Sequence, residues 1–402
     1  MNKDLIFACD VRNAKNNLPR NLFLYKRNLV INNTNQDQSN PEVENEQSER
    51  SIELTSQTTS ISWIYNENQI QGFKVSYCCN FSKSQKSLTY LGDAEKLKQL
   101  KKLLNGIVLY TDFNKHYQFQ SSFIQKEDVQ ADQISKYIQI ETGELKLVKI
   151  TKINLQQKLQ QELNIVFELN RQKHKNILEI DEVYKDLNEI IFVMKYCQGG
   201  TLYNYLLQRN NVLDQKEIKY IMKRLLKGVK HLHQLGIIHR DLKLDNIVFE
   251  NENDIKSLKI IDFGFAVEFG HQTQVRCGTP GYMAPEILNQ EDYDESVDIY
   301  SLGSIYHSLL SGQKLYPEYQ DKNHLLFLNK LNKVKVSSKI MDIEQRQLLL
   351  LMIGHKKHRP SASICLKHQF FKKNFEISHP IENQVKQLCF PNLKNPFKSK
   401  SL

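Results

Sequence analysis

Residues 237–249 read IIHRDLKLDNIVF, residues 260–266 read IIDFGFA and residues 277–286 read CGTPGYMAPE. Just upstream lies a well-signalled helix. Asp214 with Glu217 forms a capping box, and Ile218, Ile221, Met222, Leu225, Val229 and Leu232 keep helical spacing. Residues 197–371 read mostly as helices, and residues 120–196 as strands around one helix. Further upstream, 20–31 (RNLFLYKRNLVI) is rich in strand formers, and strand-like runs recur at Ile61–Tyr65, Phe73–Phe81 and Ser87–Leu91. A helix follows. Asp93 is its expected N-cap, Leu97, Leu100, Leu103, Leu104 and Ile107 form its stripe, and Gly106 is its expected stop. No internal repeat is visible.

Composition narrows the class. In 402 residues, 40% are hydrophobic and 25% charged, enough for a packed core. The longest strongly apolar stretch, Leu348 to Ile353, is far short of a membrane span. The opening MNKDLIFACD carries acids and no long apolar run, unlike a secretory signal. Seven cysteines without a CxxC pair argue against a disulfide scaffold or structural zinc and favour a reducing compartment, with a cytoplasmic location expected. The net charge of +10 is unevenly placed. Residues 1–30 hold six Lys/Arg against two acids, 36–60 hold six acids against Arg50, and 372–402 hold six Lys against two Glu. Basic ends can meet acidic lipid headgroups, although lysines on a solvated surface are the commoner reading. No zinc-finger or RNA-recognition signature is present, so no nucleic-acid partner is expected.

The three quoted stretches, in that order and spacing, closely resemble the eukaryotic protein kinase family, serine/threonine type, over about residues 123–371. The resemblance implies an α+β, bilobal fold: a small antiparallel-sheet lobe (123–196) and a large helical lobe (197–371). It implies ATP and Mg²⁺ as cosubstrate and cofactor, and protein substrates. Asp241 would orient the acceptor hydroxyl and take its proton, and Lys243 would meet the γ-phosphate, assisted by Thr279. Asn246 and Asp262 would offer the hard oxygens that Mg²⁺ prefers. Lys at 243 goes with serine/threonine acceptors in this family. Glu286 and Arg359 would form a structural pair, and Asp298 would hold the backbone of the catalytic loop. IIFVMKYCQGGTL (190–202) resembles the last small-lobe strand and the hinge, with Met194 as gatekeeper and Lys195 to Cys197 facing adenine through backbone groups.

The pattern departs from the family in places. The phosphate-covering loop is written G-x-G-x-x-G-x-V in the family, and the matching positions here are Glu127, Val129, Asp132 and Ile134. No glycine lies between Gly106 and Gly143, and Glu127, Asp128 and Asp132 bring negative charge towards an anionic ligand. Lys149 of LKLVKI fits the ATP lysine, which puts Leu147 where a small alanine normally lies against adenine. Glu162 is the favoured partner of Lys149, because Ile165, Val166 and Leu169 follow it with helical spacing; Glu168 is the competing choice. Arg240 before Asp241 goes with activation loops ordered by a bound phosphate. The usual acceptor position is Val275, so the loop is either intrinsically ordered or uses Thr273. Thr201 and Asp245 occupy two positions that are acidic in arginine-preferring relatives, and suggest at most a mild basic preference. A pseudokinase, a signalling platform with weak phosphotransfer, is the alternative that the glycine-poor loop and Leu147 favour.

The remaining boundaries are expectations too. Residues 1–17 read as an N-terminal segment and 18–107 as a β-rich accessory domain closed by one helix, with 32–60 a polar low-complexity loop. Residues 108–122 read as a connector and 372–402 as a loose basic tail. The accessory domain resembles a pleckstrin homology domain, whose LFLYKR-like first strand would make Lys26 and Arg27 candidates for phosphoinositide contact and recruit the chain to membranes. Its only tryptophan, Trp63, lies upstream of the closing helix rather than in it. The NPF at 395–397 resembles an adaptor-binding peptide, and the terminal KSKSL is not a peroxisomal address.

Overall fold

The computed structural model describes residues 5–25, 27–33, 49–55, 59–66, 69–78, 85–122, 132–153, 156–270, 275–316 and 322–372. Seven strands open the chain: β1 (Leu5–Asn13), β2 (Pro19–Tyr25), β3 (Asn28–Asn33), β4 (Glu49–Glu53), β5 (Thr59–Asn66), β6 (Gln69–Cys78) and β7 (Gln85–Gly92). They pair antiparallel in the order β4-β3-β2-β1-β7-β6-β5. Alternation sets the buried face: Leu22 and Leu24 of β2, and Ile61 and Trp63 of β5, all point inward. Helix α1 (Ala94–Leu104) closes one end, capped by Asp93, whose side chain accepts from the Lys96 N–H at 3.0 Å. Leu97, Leu100 and Leu104 are fully buried. Leu103, expected in the same stripe, is 39% exposed, because its place in the turn aims it at solvent.

Three boundaries differ from the sequence reading. The segment 1–17 contains β1, because Cys9 and Val11 alternate with polar residues and can bury against β2 and β7. The polar stretch 32–60 is not wholly loop: β4 pairs with β3, and Ile52 and Leu54 give it an apolar foothold. Residues 34–48, 56–58 and 373–402 lie outside the described residues. The supposed connector 108–122 is the third. Its strand β8 (Leu109–Tyr110) runs parallel to both β5 and β12 (Ile180–Lys185), and β9 (Tyr117–Ser122) pairs with β10 (Gln133–Gln139). Val108, Leu109, Tyr110, Phe113 and Tyr117 are all buried, so this stretch is core rather than linker.

The small lobe continues through β11 (Leu145–Lys152), helix α2 (Gln156–Arg171), β12 and β13 (Glu189–Lys195). Its sheet order is β12-β13-β11-β10-β9, and β8 joins it to the N-terminal strands as one thirteen-stranded sheet. One apolar cluster accordingly spans both parts: Leu22, Phe73 and Tyr110 share it with Val148, Tyr184, Ile191 and Val193. The large lobe holds α3 (Leu202–Gln208), α4 (Gln215–Gln234), α5 (Pro285–Leu288) and α6 (Ser296–Ser311) around a separate core. The capping box Asp214–Glu217 starts α4. Helix α6 is buried on nearly every face, as a central core helix must be. No helix among the described residues is long and apolar enough to cross a membrane.

A buried polar knot fastens the two β regions. Lys101 Nζ of α1 lies 3.4 Å from Glu182 Oε1 of β12 and donates to the Tyr65 hydroxyl at 3.1 Å. The hydroxyls of Tyr117 and Tyr184 each donate to Glu182 Oε2 at 2.7 Å. Removing one member of a buried ion pair strands the other charge, at a cost of about 3–5 kcal/mol. Lys101→Met is therefore expected to lower the melting temperature, with the N-terminal strands and the small lobe still lost in one calorimetric transition. Two resolved transitions in the wild type would contradict the shared core.

Candidate active site

Strand β11 places Lys149 opposite Ile134 on one side and Phe192 on the other, at the back of the cleft between the lobes. Its ammonium is 2.7 Å from Glu162 Oε1, 3.1 Å from Asp132 Oδ2 and 3.6 Å from Asp262 Oδ1. Burial works against the charge, but Glu162, Asp262 and Asp132 reverse that effect and raise the pKa, so Lys149 stays protonated. Glu162 faces inward because Leu159, Leu163, Val166 and Phe167 of α2 pack on the sheet. The competing Glu168 points elsewhere, towards Arg27 and Arg171. Gly264 approaches so closely that a Cβ there would sit 3.2 Å from Lys149 Nζ and 3.3 Å from Asp262 Oδ1.

A cavity of about 230 Å³ lies in front of Lys149, with Ile134, Leu147, Met194, Ile261, Asn246 and Asp262 in its wall. The apolar members make a slot, and Asp132, Glu162, Asp245, Asn246 and Asp262 add polar groups to its wall. Leu147 lines the slot despite its bulk. The side chains of Lys195 and Cys197 do not line it: Lys195 turns to Glu250 at 3.5 Å, and Cys197 packs against the apolar cluster of the small lobe. Burial pushes the Cys197 thiol up to about 11. Val166, Leu178, Ile180, Phe192 and Phe263 complete the apolar wall; the sequence marks Val166 only as a core residue of the helix that carries Glu162 and gives the others no site role.

The loop 239–246 gathers the other groups. Thr279 Oγ1 donates to Asp241 Oδ1 at 2.6 Å, and Lys243 Nζ is 3.0 Å from both Thr279 Oγ1 and Asp241 Oδ2. Asn246 Nδ2 donates to the Asp241 carbonyl at 2.8 Å and to Asp241 Oδ2 at 3.1 Å. His239 accepts from the Asp241 N–H through Nδ1 and donates through Nε2 to the Ile261 carbonyl, which fixes its tautomer. Arg240 and Asp262 both take positive φ, 67° and 65°, a conformation that non-glycine residues hold only where their surroundings enforce it. Burial favours the neutral acid at Asp262, but Lys149 and the Gly264 N–H overcome it, and its pKa is lowered.

Arg240 does not face an open loop. Its Nε donates to the Phe265 carbonyl at 2.6 Å and its Nη1 to the Tyr293 hydroxyl at 2.8 Å, while that hydroxyl donates to the Val275 carbonyl at 3.1 Å. Tyr293 had no signal in the sequence. Glu286 and Arg359 form a buried, two-pronged ion pair at 2.6 and 3.3 Å. Thr201 caps α3, accepting from the Asn204 N–H at 3.1 Å, whereas Asp245 borders the cavity. Arg27, a candidate for phosphoinositide contact, is 64% exposed in its side chain and lies 3.4 Å from Glu168 of α2. Lys26, Glu127, Asp128, Val129 and Thr273 lie outside the described residues.

Comparison with known proteins bears on the family of the chain. A family model described as "Protein kinase domain" matches residues 128–371, well over half of the chain. The chain is 34% identical over 227 residues to a "Probable serine/threonine-protein kinase 2" of Plasmodium falciparum, covering 54% of this chain and 43% of that protein. It is 31% identical over 238 residues to "Serine/threonine-protein kinase shk1/pak1" of Schizosaccharomyces pombe, covering 58% and 35% respectively. "Calcium-dependent protein kinase 5" of Plasmodium berghei is 32% identical over 258 residues, covering 61% and 44%. The chain thus spans about a third to a half of the length of these relatives.

Asp132 sits on the ammonium that a nucleotide's phosphates would need. Exposed partners of this kind contribute under about 1 kcal/mol, so Asp132→Asn should tighten ATP binding by about two- to fivefold. Titration with a fluorescent ATP analogue checks this. Weaker binding by the variant would mean that Asp132 orients Lys149 rather than competing for it.

Proposed function

The chain belongs to the protein kinase family, and on that basis we propose that it transfers the γ-phosphate of ATP to serine or threonine hydroxyls of protein substrates. One observation carries the reading. The Thr279 hydroxyl already lies 2.6 Å from Asp241 Oδ1, with Lys243 3.0 Å from both, so a hydroxyl fits within the reach required of a general base.

In this reading Asp241 orients the acceptor hydroxyl and takes its proton as the oxygen attacks. Lys243 supplies positive charge beside the transferred group. Lys149, steadied by Glu162, holds the other phosphates from behind. Asn246 spends its Nδ2 on Asp241 and offers its Oδ1, and Asp262 offers an ionised carboxylate. These are two hard oxygens, and they suit Mg²⁺, which usually takes few protein ligands and completes its shell with phosphate and water. Among the described residues no group of three His, Cys, Asp or Glu could hold a metal ion. Mg²⁺, when bound, neutralises charge on the phosphates. Arg240 is occupied by Tyr293 and the Phe265 carbonyl, which supports a loop ordered without phosphate.

A second reading, a platform with weak transfer, is favoured by Asp132 on Lys149 and by the missing glycines. Radiolabelled phosphate transfer from Mg·ATP separates the two. The wild type is expected to label serine or threonine, and Asp241→Asn to be slower by at least about a hundredfold. A wild type indistinguishable from Asp241→Asn would leave the platform.

A further inference from the structure

Helix α2 carries Glu162 at its middle, and its last turn is held by the N-terminal strands and helix rather than by the small lobe alone. Asn170, 6% exposed, makes three hydrogen bonds there. Its Nδ2 donates to the Gly106 carbonyl at 2.8 Å and to the Ile180 carbonyl at 2.7 Å, and its Oδ1 accepts from the Ile180 N–H at 3.2 Å. Arg171 Nη2 donates to the Leu54 carbonyl at 2.8 Å. Two separate pieces of the N-terminal region, the turn after α1 and the turn after β4, therefore end on adjacent residues of one helix.

Gly106 makes the first contact possible. It has φ +68°, and a Cβ built on it would lie 1.8 Å from Asn170 Nδ2 and 2.2 Å from the Ile180 carbonyl oxygen. No side chain fits between that backbone and Asn170. Asn170 matches the gap because a carboxamide supplies two donors and an acceptor at once. These bonds are directional, unlike the apolar packing of Leu159, Leu163 and Phe167 beneath the same helix. Packing holds α2 against the sheet, and the hydrogen bonds set its rotation and its position along its axis. The Arg27–Glu168 pair, with Arg27 largely exposed, adds little.

We propose that the N-terminal region is a built-in brace for α2, and that Gly106, Asn170 and Arg171 are positioning residues for the Lys149–Glu162 pair. Their kinetic consequence rests on the phosphotransfer reading above; the brace itself does not. Displacing a catalytic constellation by about 1 Å costs about a hundredfold in rate.

The test uses the full chain with Gly106→Ala, Asn170→Ala and, as an unrelated surface change on α1, Lys98→Ala. Amide hydrogen exchange across residues 158–166 is measured beside phosphotransfer kinetics. Faster exchange of α2 and a tenfold or larger fall in kcat are expected for Gly106→Ala and Asn170→Ala, and neither for Lys98→Ala. In a Glu162→Gln background the same changes should alter the residual rate by less than twofold, since the pair they position is already gone. A merely structural weakening would add in full. If Gly106→Ala fails to fold, Arg171→Ala reports from the other side of the contact, with Arg171→Lys expected to restore part of the loss. Unchanged α2 exchange in folded Asn170→Ala and Arg171→Ala overturns the brace. A wild type that transfers no phosphate overturns the kinase reading instead, and the exchange data still decide the brace.

Discussion

Two backbone N–H groups of the loop 239–246, those of His239 and Arg240, end on one carboxylate, Asp298, each at 2.9 Å. Asp298 is fully buried and also bonds His233 Nε2 at 3.0 Å. A buried carboxylate is costly unless its lone pairs are filled, and here three donors fill them. Burial alone would raise its pKa, yet His233 and the loop amides lower it. The exchange is mutual. The loop gives the carboxylate its hydrogen bonds, and the carboxylate holds Arg240 at positive φ immediately before Asp241. Because Asp298 sits on α6, the most deeply buried helix, the position of Asp241 refers to the core rather than to the surface.

Much of this site was legible in the residues, for a physical reason. Asp241, Lys243, Asn246, Asp262 and Thr279 belong to short local stretches whose chemistry has few substitutes; four of them meet within hydrogen-bond distance, and Asp262 shares the cavity wall with Asn246. The periodicity of Ile165, Val166 and Leu169 singled out Glu162 over Glu168, and the side chain that meets Lys149 is Glu162. What escaped was long-range. Tyr293 pairs with Arg240 across more than fifty residues of chain, and no local pattern marks an ordinary tyrosine for that task. Val166 and Phe192 line the cavity, but in sequence they look like any core residue.

The fold shows the same division. The strands, the capped helix α1 and the capping box of α4 follow from alternation and caps. The boundaries at 17, 60 and 122 do not, because burial rather than composition decides them. Residues 49–53 read as part of a polar loop, yet Ile52, with Leu54 just beyond it, seats a strand when a neighbour such as β3 offers an open edge. Residues 108–122 are short and irregular, and only a sheet on either side makes a two-residue strand worth forming.

That two-residue strand sets an order of events during synthesis. β8 lies between β5 and β12, but β12 begins about seventy residues after β8. Chains emerge from the ribosome N-terminus first and fold as their partners become available. The N-terminal strands can assemble early, with Tyr110 and Phe113 in place, while the surface that Tyr184, Ile191 and Val193 will cover is still bare. An aromatic face and an unpaired strand edge are then exposed together, the combination that invites pairing with the wrong chain. The arrival of β12 pairs the edge and, through Tyr184, begins to cover the aromatic face.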